Sequence, residues 1–158
     1  MKKLTALLSL AAFAILPAMA ESTPQELVPQ LQAAYDQNTK AMDDGDIDAF
    51  MELFAEGFVG VVSADEKLDR EQIREFALAE MKRSHRARST YAVEKVDLVE
   101  VDADGGRRTE IVATVLEMSV DETVDRQGKK VRKSLKVHHR DTFAKNGASW
   151  QILVREYQ

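Results

Sequence analysis

The chain has 158 residues, 44% of them hydrophobic and 31% charged, with a formal net charge of −5 and no cysteine. Such a length suits one domain around one core, and the acidic balance argues against a general attraction to nucleic acid. The lack of cysteine excludes disulfides, thiol nucleophiles and thiolate metal sites.

Lys2 and Lys3 precede an apolar run from Leu4 to Leu16, which ends at Ala18-Met19-Ala20. This is the pattern of a secretory leader cut before Glu21, and it predicts a periplasmic or secreted mature chain spanning 21–158. The run is short for a bilayer span, so no stable membrane anchor is expected. Losing two lysines moves the net charge from −5 to −7.

Beyond Pro24, Leu27, Leu31, Ala34, Tyr35, Asn38, Ala41 and Met42 recur at three- and four-residue steps, predicting an amphipathic first helix that stops near Asp43-Asp44-Gly45. Asp46 can cap a short second helix with Ile47, Phe50, Met51 and Phe54 on one face. The glycine-bounded run Gly57 to Ser63 predicts a strand. Asp69 opens a third helix through about Arg83, with Ile73, Phe76, Ala77 and either Leu78 or Met81 on its apolar side.

Three glycine-bearing turns, at 104–106, 125–128 and 146–147, then separate stretches rich in Val, Ile, Leu and Thr. They predict a four-strand antiparallel meander with limits near Thr90–Asp102, Arg108–Thr123, Lys130–Ala144 and Ser149–Tyr157. Strands this long should twist and curl. Helices followed by strands make an α+β fold.

Two segments carry a family resemblance. Met42 to Glu56 (MDDGDIDAFMELFAE) resembles the "GD…LF" helix pair of the nuclear-transport-factor-2-like (NTF2-like) superfamily, and Lys145 to Val154 (KNGASWQILV) is similar to its closing hairpin. Within that superfamily the chain looks like the SnoaL-like branch. The resemblance implies a cone in which three N-terminal helices pack on a strongly curved, mainly antiparallel sheet. It leaves activity open, because the fold hosts isomerases, dehydratases, epoxide hydrolases and proteins without known chemistry. Aligned on Gly45-Asp46, the steroid-isomerase-like members carry a tyrosine where this chain has Asn38 and a carboxylate base where it has Val62. A slip of one or two residues would bring Tyr35 or Asp65 nearer to those places.

The candidate chemistry lies on the third meander strand. Strict alternation puts Val131, Leu135, Val137, His139, Asp141 and Phe143 on one face. A carboxylate two residues from an imidazole on one strand face can orient it as a general base, so His139 and Asp141 are the candidate catalytic pair. The competing reading is a buried pair that satisfies itself. His138 and His139 point to opposite faces, so no metal site and no cofactor are expected.

A small apolar or amphipathic ligand inside the cone would be lined by Tyr35, Phe50, Phe54, Phe58, Phe76, Val137, Phe143 and Trp150. Three functions stay open: a binding module for such a ligand, a cofactor-independent lyase, isomerase or hydrolase using His139 and Asp141, and a pocketless interaction protein. For the last, Arg132, Lys136, His138 and Arg140 form a positive stripe, and Lys82, Arg83, His85, Arg86 and Arg88 a second basic run. The bland reading of the stripe is a solvated face paired with Glu94, Glu110 or Glu117. The second meander strand is apolar on both faces, with Ile111, Ala113 and Val115 against Val112, Leu116, Met118 and Val120. This predicts a homodimer through the outer sheet face, for which light scattering should return twice the chain mass at micromolar concentration; a monomer would refute it.

Overall fold

A computed structural model describes residues 22–83, 87–103 and 106–158. The expected leader, His85, Arg86 and the tip of the first meander turn lie outside these residues.

Helix α1 (Pro24–Asp44) starts in a capping box: Thr23 accepts from the Glu26 amide while the Glu26 side chain accepts from the Thr23 amide. It ends where Gly45, at φ 74°, takes the left-handed conformation that side chains resist and donates to the Ala41 and Met42 carbonyls. Asp46 then caps α2 (Ile47–Met51) through the Ala49 amide at 3.0 Å. Phe54 does not extend this helix, contrary to the helical spacing. It opens β1 (Phe54–Val61), because the Leu53 carbonyl is taken by the Ile152 amide at 2.7 Å and a strand ladder begins there.

A three-residue strand, β2 (Lys67–Asp69), which the sequence pattern did not suggest, pairs antiparallel with β1. Asp69 caps α3 (Arg70–Met81), again in a capping box, with Gln72. Ile73 and Ala77 are buried as expected, whereas Phe76 is 66% exposed. Leu78 and Met81 are half-buried.

The meander consists of β3 (Arg88–Ala103), β4 (Gly106–Val124), β5 (Lys130–Asn146) and β6 (Ser149–Tyr157), all antiparallel in sequence order. Each limit falls within two residues of expectation. β1 lies parallel to β6, which gives one curved sheet ordered β2-β1-β6-β5-β4-β3. Helix α1 lies mainly against β3. Leu27, Leu31 and Tyr35 press onto Val96, Ala113, Val115, Phe143 and Ile152 of the sheet's inner face, and α2 and α3 close the core with Phe50, Met51, Ile73 and Ala77. Full burial of a side chain such as Leu31 is worth about 1.5–3 kcal/mol. On the outer face of β4, Val112 is buried and Leu116, Met118 and Val120 are half-buried.

Candidate functional site

The inner face of the sheet carries an ionic network that helix α1 covers. Asp141 on β5 stands opposite Arg155 on β6 in the ladder, with the small Ala113 on its other side. The Arg155 guanidinium donates to Asp141 three times: Nε to Oδ1 at 3.0 Å and to Oδ2 at 3.2 Å, and Nη2 to Oδ2 at 2.7 Å. His139 Nδ1 lies 3.0 Å from Oδ1, and the Tyr35 hydroxyl of α1 donates to Oδ2. Tyr35, His139 and Asp141 are 0% exposed and Arg155 5%.

Burial opposes ionisation of Asp141, but the adjacent Arg155 charge and the hydrogen bonds from His139 and Arg155 outweigh it and hold the carboxyl at about 2. Burial opposes the Arg155 charge in turn, and Asp141 restores it, so that the guanidinium stays protonated well above its usual range. The Tyr35 hydroxyl is pushed well above its ordinary value, first by burial and then by the Asp141 charge, and remains a donor. His139 Nδ1 faces the ionised Asp141 carboxylate, and Nε2 is buried with no hydrogen-bond partner among the described residues. The rings of Tyr91 and Tyr157 stand 6.1 Å from the His139 ring, and Tyr91 stacks on Tyr35 at 5.0 Å.

A cavity of about 200 Å³ opens beside this network, between α1, α3 and the meander. Phe50, Phe54, Ile73 and Phe76 form its apolar side, while Asn38, Ser89, Glu117, Ser119 and Arg155 supply polar atoms. Tyr91 and Tyr157 separate it from His139. Burial also raises the Tyr91 hydroxyl well above its ordinary value, with the Glu117 charge adding to this, so it too stays protonated.

Of the residues expected to line a pocket, Phe50, Phe54 and Phe76 do so. The exposure of Phe76 follows, since it stands at the rim. Tyr35, Phe58 and Phe143 are core residues that do not reach the cavity: the Tyr91 ring stacks on Tyr35, Phe58 packs edge-on against Phe54, and Phe143 meets Tyr35 edge-on. Val137 is half-buried beside Glu117 on the long β4–β5 hairpin and also misses it. Trp150 lies on a separate hollow of about 540 Å³ that it lines with Gln30, and Lys145 lies over its ring. His139 and Asp141 face inward together as alternation requires, but neither is on the cavity wall.

The residues that the pattern did not single out are Arg155, Tyr91, Tyr157 and the Glu117 group. Glu117 Oε1 accepts from Ser89 Oγ at 2.9 Å and from Ser119 Oγ at 3.2 Å. It therefore points into the cone and is no partner for the basic stripe. On that outer face His138 pairs with Glu94 at 3.4 Å and Arg140 with Glu156 at 3.7 Å, exposed contacts that stabilise little.

No protein-family model matches this sequence, and no curated protein sequence matches it. Solved structures do match its fold. Aln2 from a Streptomyces species is 18% identical with a TM-score of 0.58, over 87% of this chain and 92% of that one. A candidate scytalone dehydratase from Novosphingobium aromaticivorans is 13% identical with a TM-score of 0.60, over 82% and 81%. A candidate dehydratase of the NTF2-like family from Streptomyces avermitilis is 15% identical with a TM-score of 0.58, over 85% and 97%. At these identities the likeness is one of fold.

Proposed function

We propose that this chain, which has the NTF2-like α+β cone fold, binds a small amphipathic molecule in the cavity between α1, α3 and the meander. The observation that carries this reading is the cavity's composition, an aromatic wall facing a few fixed polar groups, which is how small-molecule sites are built. Its size fits one ring with a short substituent, since an apolar cavity of roughly 150 Å³ holds benzene.

In this reading His139 and Asp141 position the wall and do not touch the ligand. Asp141 already accepts from Tyr35, His139 and Arg155, and Tyr91 and Tyr157 stand between His139 and the cavity. The pair fixes the guanidinium that forms part of the floor.

Ser119 is half-buried on the cavity wall, so Ser119→Phe would place a ring in the vacant volume. Titration with 2-phenylethanol, a neutral one-ring probe followed by NMR, should perturb Phe76, Tyr91 and Tyr157 in the wild type. The variant should bind at least about tenfold more weakly, roughly 1.4 kcal/mol. Equal binding by a folded variant would place the ligand elsewhere.

A further inference from the structure

We propose that the ligand carries a protonated amine on its one-ring body, and that Glu117 is the residue that recognises it. This rests on the reading of the cavity as a ligand site and adds the charge of the occupant.

The argument begins with where the charges go. Among the described residues, three side chains of the sheet that carry a formal charge line the cavity: Arg88, Glu117 and Arg155. Arg155 is committed to Asp141 through three contacts, so its charge is compensated inside the protein. The partners of Glu117 among the described residues are the Ser89 and Ser119 hydroxyls, both bonded to Oε1. Among the described residues no Lys, Arg or His forms an ion pair with it, and Oε2 has no hydrogen-bond partner. The two serines lie 2.8 Å apart, so they brace one carboxylate oxygen and leave the other to the cavity.

A half-buried carboxylate beside aromatic walls gains most from a cation with donor protons. A protonated amine supplies both. At the rim, among the described residues, Glu80 is paired with Arg83 at 2.6 Å, and Asp43 and Arg88 add one side chain of each sign. The Tyr91 ring stands on the same wall opposite Glu117 in the ladder, stacked on Tyr35 and with the Arg155 guanidinium 5.9 Å from its centroid. Phe50, Phe54, Ile73 and Phe76 then take the apolar body.

Calorimetric titration with three probes of nearly one shape separates the possibilities: 2-phenylethylamine, 2-phenylethanol and phenylacetate at pH 7. The amine should bind at least about tenfold tighter than the alcohol, the scale of one charge-assisted hydrogen bond, and phenylacetate should bind weakest. Glu117→Gln keeps the shape and a hydrogen-bonding oxygen but removes the charge. It should bring the amine down to the affinity of the alcohol and leave the alcohol within about twofold. Alcohol or acid binding as tightly as the amine, or an amine preference that survives in Glu117→Gln, would overturn the assignment of Glu117 while the cavity reading stood. Failure of all three probes to bind the folded wild type would overturn both.

Discussion

Replacing Asp141 with Asn is expected to lower the melting temperature by about 10–20 °C, the equivalent of roughly 3–5 kcal/mol in a domain of this size. The substitution keeps the side-chain volume, and the amide oxygen can still accept from Tyr35. What it removes is the charge that compensates Arg155, a guanidinium 5% exposed with Asp141 as its ion-pair partner. An uncompensated buried charge is far more costly than the loss of one hydrogen bond. The same logic predicts a rescue. Asp141→Asn combined with Arg155→Met removes both charges while keeping an acceptor for Tyr35 and His139, and it should recover most of the stability lost by Asp141→Asn alone, because no buried charge is then left uncompensated. Thermal unfolding of the variants by circular dichroism decides the matter. An Asp141→Asn protein that melts with the wild type would contradict the structural role assigned here and return His139 and Asp141 to the position of a catalytic pair.

The framework of this fold was legible because its signals are local. Thr23, Asp46 and Asp69 cap their helices, Gly45 takes the left-handed conformation, and the glycine turns delimit the meander, so each element carries its own boundary. Alternation along β5 likewise put His139 and Asp141 on the inner face. What alternation could not supply was Arg155. Ile152 and Arg155 both face inward although three residues apart, because the ladder slips between Thr142 and Phe143. Strict parity from Ile152 turns Arg155 to solvent, and the counterion of Asp141 disappears from view. A second slip, between Val93 and Lys95, lets Val93 and Val96 share the inner face in the same way. Glu117 is a different case. Its parity matches Ala113 and Val115, so its inward direction was readable, but a glutamate on a strand beside a basic stripe invited an outward ion pair. The cavity depends on how α1 and α3 sit over the sheet, and no spacing within one element encodes that.

Acid unfolding tests the same network from the side of protonation. The Asp141 carboxyl titrates at about 2 in the folded chain against an ordinary value of 3.8. A folded value below the unfolded one means that the unfolded state binds the proton more readily. The contribution is therefore fully present above about pH 4 and is lost as the pH falls towards 2. From the size of the displacement it amounts to roughly 2 kcal/mol. Burial alone would have displaced the value upward and reversed the sign; the Arg155 guanidinium decides the direction. Urea unfolding at pH 5 and at pH 2 should show wild type losing about 2 kcal/mol more than Asp141→Asn over that interval, since the exposed carboxylates titrate in both and cancel in the comparison. Parallel losses in the two proteins would mean that the folded chain leaves the Asp141 carboxyl at its unfolded value, whereas a wild type that loses less than Asp141→Asn would mean that Asp141 is protonated in the folded state at pH 5 and that the Arg155 charge at the floor of the cavity is uncompensated. A positive floor disfavours a cationic ligand and a compensated one does not, so this titration bears on the amine assignment alongside the change at Glu117.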